Sequence, residues 1–236
     1  LTIAHFGAIV NYKMKEGTMK KTLFTAVFLA GMATQAVSAD KLQSFDHAAE
    51  LTSQAKTILF QELNDAKVPN SAHQQIVCLA ENIYFEARAE SIEGKAAVAN
   101  VTRNRVEDAR WPATYCEVVQ QGPVRESWKT KQHKDLADED RVYYPRKHRC
   151  QFSWYCDGAK DIIWANKEKT GETIRANARA WRASVEVAIW TLGYGSYRVN
   201  DNTGGAVFYY AHNLVDPVWA GEKQLTVVIG NHTFMK

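Results

Sequence analysis

Two spacings organise the apolar positions of this chain. Ile76, Ala80, Ile83, Tyr84 and Ala87 recur at i, i+4, i+7, i+8 and i+11, the stripe of an amphipathic helix. Trp181, Val185, Ala188, Ile189 and Leu192 repeat that spacing and predict a second long helix over 175–192, stopped by Gly193-Tyr-Gly195. Between them, Ser91 is placed to cap a helix carrying Ile92, Ala96, Ala99 and Val101 and running to about Val106. Residues 40–68, with Phe45, Leu51, Ile58, Leu59 and Leu63 as apolar points, predict one or two helices. Pro69-Asn70 ends that segment, and Ser71 is read as the cap of the next helix. Late in the chain the period changes. Ala206 to Ala211 reads as a strand, and Leu225 to Ile229 with His232 to Phe234 reads as a hairpin turning at Gly230-Asn231. The predicted class is α+β, mainly helical, with a small antiparallel sheet late in the chain.

The first 39 residues change that picture. Met19-Lys20-Lys21 is a short basic start, Leu23 to Met32 an apolar run, and Ala36-Val37-Ser38-Ala39 a small-residue site. This is the pattern of a secretory signal peptide cleaved after Ala39, with an apolar run short for a membrane span. The expected organisation is therefore 1–39 upstream residues and signal, 40–72 a helical arm, and 73–236 the main domain. The expected product is exported, to the periplasm or beyond, with no integral span once the signal is removed. Removing 1–39 takes away four lysines and one glutamate and leaves 25 basic and 25 acidic side chains. The basic excess thus belongs to the signal and gives no argument for nucleic-acid binding.

Four cysteines remain, Cys78, Cys116, Cys150 and Cys156. An even count in an exported chain predicts two disulfides, with three pairings open. The absence of a Cys-x-x-Cys pair argues against a zinc site, and no metal or cofactor is expected.

Candidate chemistry concentrates at the corner between the first two strong helices, which holds Glu86, Arg88, Glu90 and Glu93. Glu86 sits between Phe85 and Ala87, where the helix turns into its packed face. A carboxyl shielded there has a raised pKa and can remain protonated as a general acid must. Glu90 is the candidate second carboxylate, sharing a face with Glu86 only if the helix continues. Cys150-Gln-Phe-Ser-Trp-Tyr-Cys156 places aromatic rings beside amide and hydroxyl groups, a composition that suits a saccharide cleft and equally a disulfide-pinned core segment. Residues 125–149 hold eight Lys or Arg and five Asp or Glu and read as a solvated excursion or a flap over a polymeric substrate.

These residues carry a family resemblance. Glu86-Ala-Arg-Ala-Glu90 with Glu93-Gly-Lys-Ala-Ala-Val-Ala-Asn-Val-Thr-Arg-Asn-Arg-Val106 resembles the signature of SleB-type cell wall hydrolases, the group of the spore-cortex-lytic enzymes. Cys116-Glu-Val-Val-Gln-Gln121, Gln151-Phe-Ser-Trp154, Ala206-Val-Phe-Tyr-Tyr-Ala-His212, Pro217-Val-Trp-Ala220 and Ile229-Gly-Asn-His-Thr-Phe234 extend the resemblance over residues 73–236. It implies a lysozyme-like fold and cleavage of peptidoglycan glycan strands between N-acetylmuramic acid and N-acetylglucosamine. It places the family's catalytic acid on Glu86. Gln151, Phe152 and Ser153 would line the cleft, and Tyr209 and His212 would orient the sugar or leaving group. The expected activity is that of a lytic transglycosylase giving 1,6-anhydro-muramyl products with one catalytic Glu. The alternatives are a hydrolytic muramidase, an N-acetylmuramoyl-L-alanine amidase, and a non-catalytic peptidoglycan-binding module. A regulatory protein partner stays open. The chain has Ala89 where the family usually has Gly, which requires φ below zero there.

Overall fold

The structure, a computed structural model, describes residues 49–163 and 171–236. The expected signal peptide and the first part of the arm lie outside them.

Helix α1 (Ser53–Asp65) starts at Thr52, whose side-chain oxygen accepts from the Ala55 amide at 3.4 Å. Its Ala55, Leu59 and Leu63 are buried in the same core as α2 (Asn70–Ala87). Burying a side chain such as Leu59 fully stabilises the fold by about 1.5–3 kcal/mol. Pro69, not Ser71, caps α2, and no side chain bonds the free amides there. Proline has its φ preset for such an entry and no N–H to satisfy, so Ser71 falls one residue inside the helix.

The amphipathic reading of α2 needs widening. From Ile76 to Tyr84 every residue is buried, Glu81 and Asn82 included. The helix is central, with α3 (Ile92–Glu107), α4 (Tyr115–Val119) and α6 (Gly171–Thr191) packed around it. Helix α3 is capped as its sequence predicts: Ser91 Oγ accepts from the Gly94 amide at 3.2 Å. The indole of Trp181 on α6 donates to the Ala55 carbonyl at 2.9 Å, which ties α6 to α1. Gly193, at φ +85°, takes the chain out of α6. The Cys78–Cys116 disulfide ties α2 to α4, and Cys150–Cys156 closes a short loop.

Four short strands come first. β1 (Glu50–Leu51) and β4 (Ile162–Ile163) run parallel. β2 (Val124–Glu126) and β3 (Tyr143–Pro145) pair antiparallel and enclose the four-residue α5 (Trp128–Lys131). The charged stretch 125–149 is therefore a pinned excursion. Arg141 holds it from inside, bonding Glu126 at 2.7 Å and the carbonyls of Leu136 and Lys134. The late sheet has the order β5-β7-β6, from β5 (Phe208–Ala211), β6 (Leu225–Ile229) and β7 (His232–Met235). Tyr209 pairs with Phe234. Alternation then puts Tyr209 on the face toward the helices, while Phe208 and Tyr210 lie against Trp219 on the other.

Candidate active site

Glu86 occupies the last turn of α2. Beside it Phe85 stacks on Trp154 with ring centroids 4.6 Å apart. The Trp154 indole donates to Asn82 Oδ1 at 3.0 Å, and Asn82 Nδ2 donates to Thr102 on α3 at 3.3 Å. This buried polar chain fixes the aromatic wall, since leaving any member unpaired would cost about 1–3 kcal/mol. From across the cleft, Tyr209 Oη donates to Glu86 Oε2 at 3.0 Å. Glu86 is half-buried. Desolvation pushes its carboxyl above the usual range, while the Tyr209 bond and the charge of Arg105 pull it partly back. Burial, reinforced by the Glu86 charge, holds the Tyr209 phenol well above its ordinary value, so it stays a donor.

Arg105 is a part of this site that the sequence reading passed over. Only 4% exposed, it projects from α3 and donates through Nε to the Val207 carbonyl at 2.8 Å. Its guanidinium lies 4.3 Å from the centre of the Trp111 ring and 5.1 Å from that of Phe152. Burial brings it down to about 10, against the opposing pull of Tyr209 and Glu86, so it is cationic at neutral pH. The signal was present. Ala97, Val101 and Arg105 fall on one i, i+4, i+8 row of α3, where the first two are fully buried, and an arginine in such a row asks for a partner.

The other expected residues are distributed unevenly. Gln151 is exposed and lines a cavity of about 310 Å³ with Arg105, Phe208, Tyr209, Trp219 and Lys223. Phe152 is 2% exposed and packs on Val118, Val119 and Trp154; its ring supports Arg105 from beneath instead of facing the cleft. Ser153 is exposed at the start of a 3₁₀ turn. His212 is exposed beyond the end of β5; Nδ1 meets Thr233 Oγ1 at 3.2 Å and its amide bonds the Asn231 carbonyl.

Glu90 is drawn away from Glu86. Helix α2 ends at Ala87, so the shared helical face does not form. The Glu90 carboxylate instead accepts from Asn231 Nδ2 at 2.8 Å, and Lys95 Nζ bonds its carbonyl. Ala89 lies outside the left-handed region, which among described non-glycine residues holds Lys67 and His148 alone, so its methyl group is accommodated. Among the described residues no group of three His, Cys, Asp or Glu is placed to hold a metal ion. No described helix is long and apolar enough to cross a membrane.

Comparison with known proteins gives a match to the cell wall hydrolase family over residues 89–235, beginning just after Glu86. Two solved structures are similar. One is the catalytic domain of the germination-specific lytic transglycosylase SleB from Bacillus anthracis, 25% identical, covering 72% of this chain and 100% of that one, at a TM-score of 0.44. The other is the catalytic domain of the Bacillus cereus SleB protein, 24% identical, covering 72% and 95%, at 0.39. Among curated proteins there is no match.

Proposed function

This chain belongs to the cell wall hydrolase family, enzymes that act on peptidoglycan, and from that premise we propose that it is an exported lytic transglycosylase with Glu86 as its single acid and base. The bond cleaved is the one between N-acetylmuramic acid and N-acetylglucosamine. The observation that carries the reading is the contrast between two carboxyl groups. Glu86 is half-buried, raised in pKa and oriented by Tyr209, whereas Glu90 is committed to Asn231.

The chemistry follows from that contrast. Protonated Glu86 donates its proton to the glycosidic oxygen, and the N-acetylglucosamine departs as the bond to the muramyl C1 breaks. Charge develops on the muramyl ring as an oxocarbenium-like centre. The muramyl C6 hydroxyl then adds to C1, and ionised Glu86 takes the hydroxyl proton. The carboxyl is regenerated and the product is a 1,6-anhydro sugar. No water is consumed, so no second carboxylate is needed to activate one. A hydrolytic route uses two carboxyl groups at set separations. Between the two steps the Glu86 carboxylate is steadied by the Tyr209 hydrogen bond and the charge of Arg105.

Mass spectrometry of soluble products from purified peptidoglycan tests this reading. Muramyl ends lighter than hydrolysed ones by about 18 Da, the one water that hydrolysis adds, are expected, and should be absent with Glu86→Gln. Reducing muramyl ends would replace it with hydrolysis. Released peptides on intact glycan would replace it with an amidase.

A further inference from the structure

We infer that the cavity beside Glu86 and Tyr209 is a subsite for a carboxylate carried by the muramyl unit, taken between Arg105 and Lys223. This rests on the reading that the substrate is a peptidoglycan glycan, and it adds what distinguishes that glycan from others of the same backbone.

The cavity is lined by two cations, Arg105 and Lys223, and by Gln151, Phe208, Tyr209 and Trp219. Arg105 forms its inner end. The residue is buried, Nε is occupied by the Val207 carbonyl, and Nη1 has no hydrogen-bond partner among the described residues. Leaving a charged donor unpaired costs more than leaving a neutral one. Trp111 and Phe152 cover its ring-like faces, so the guanidinium is desolvated and held in one orientation. Lys223 stands at the outer side, half-exposed, with its ammonium 4.7 Å from the centre of the Phe208 ring. The acid that acts on Arg105, Glu86, is itself shifted toward its neutral form. The cavity therefore carries net positive charge against aromatic walls.

A glycan of N-acetylglucosamine alone, as in chitin, offers nothing anionic to such a place. The muramyl unit does. Its C3 oxygen bears a lactyl group, whose methyl suits the Phe208 and Trp219 rings. The lactyl acid is either free, in a stripped strand, or extended by a stem peptide with carboxylates of its own. Both sources present the same chemistry to a guanidinium fork and an ammonium.

The test is a binding measurement with the Glu86→Gln protein, so that no ligand is consumed. Calorimetry compares chitotetraose, a stripped GlcNAc–MurNAc tetrasaccharide with free lactyl acids, and the same tetrasaccharide bearing stem peptides. A muramyl ligand is expected to bind about tenfold more tightly than chitotetraose, the low end for a hydrogen bond to a charged group. That preference should shrink as salt rises, and should fall to about threefold or less on adding Lys223→Met or Arg105→Gln. The muramyl ligand whose binding responds to Lys223→Met identifies the source, lactyl or stem. Lys223 is half-exposed, so its variant remains informative even if Arg105→Gln does not fold. Equal affinity for all three ligands, or a full preference in Lys223→Met, overturns the subsite. The function fails separately. Anhydro-muramyl products without any ligand preference leave the transglycosylase standing and remove the subsite. A Lys223-dependent preference in a protein that releases no anhydro products does the reverse.

Discussion

The two walls of the cleft are built by different means. The helical wall carries Glu86 and Arg105 on α2 and α3, which pack on each other and on α4 and α6. The strand wall carries Tyr209, Trp219 and Lys223 on a three-stranded sheet and the loop crossing it, where Trp219 remains 40% exposed. Packing holds the first, and backbone pairing with edge-to-edge rings holds the second. The groups whose ionisation must be tuned thus stand where desolvation is fixed, and those that meet a bulky substrate stand where fewer buried contacts resist movement.

The sharpest separation of chemistry from scaffold is Glu86→Gln. Glycan cleavage should fall by about 10²–10⁴-fold, the usual contribution of a general acid, while the protein still folds. Its stability should also lose some pH dependence. The folded pKa of Glu86 lies above the ordinary value, so the wild-type carboxyl costs nothing below about pH 4.5 and progressively destabilises the fold as it ionises toward its folded value. Melting temperatures of the two proteins should therefore agree in acid and diverge as pH rises, with Glu86→Gln the higher.

The disulfides measure the scaffold itself. Replacing Cys78 and Cys116 by serine opens a loop of sequence separation 38 and should cost about 4 kcal/mol in the chain-entropy model. Replacing Cys150 and Cys156, at separation 6, should cost about 2 kcal/mol. Urea unfolding of the two variants checks the order, and a larger loss at Cys150–Cys156 would contradict it.

Tyr209→Phe probes the contact between the walls. Its hydrogen bond lowers the Glu86 pKa, so removing it raises that pKa. Activity falls as pH climbs through this value, because only the protonated acid can donate. The alkaline limb of kcat/KM should consequently shift to higher pH in the variant, and an unmoved limb would detach Tyr209 from Glu86. The smallest effect is expected at Trp128, 67% exposed on the 125–149 excursion. Trp128→Ala should change stability by less than about 0.5 kcal/mol, checked by the same urea titration.

The helical wall was far more legible than the strand wall. The stripe from Ile76 to Ala87, the Ser91 cap and the Gly193 stop are local rules, and each is visible within a dozen residues. The hairpin at Gly230-Asn231 is local as well. The sheet's meeting with the helices is not: Glu86 and Tyr209 are 123 positions apart, and their contact depends on a register that alternation alone does not locate. Phe152 illustrates the same limit. Composition marked it as a ring beside polar groups, but only packing shows that its face is spent under Arg105. The pairing of β2 with β3 escaped notice because three residues are too few for a period, and because its anchor, Arg141, looks like any other charge in a charged stretch.

The bond between Glu90 and the β6–β7 turn ties two distant positions into one unit of inheritance. Gly230 adopts φ +57°, and a Cβ placed on it would fall on the Glu90 carboxylate. A side chain gained at 230 would displace that carboxylate, the far end of a flexible side chain, from Asn231, and loss of the acid likewise leaves Asn231 without this acceptor. Across related sequences the two sites should consequently drift as a pair, with asparagine, tolerant of that backbone, the replacement at 230 that accompanies a shorter residue at 90.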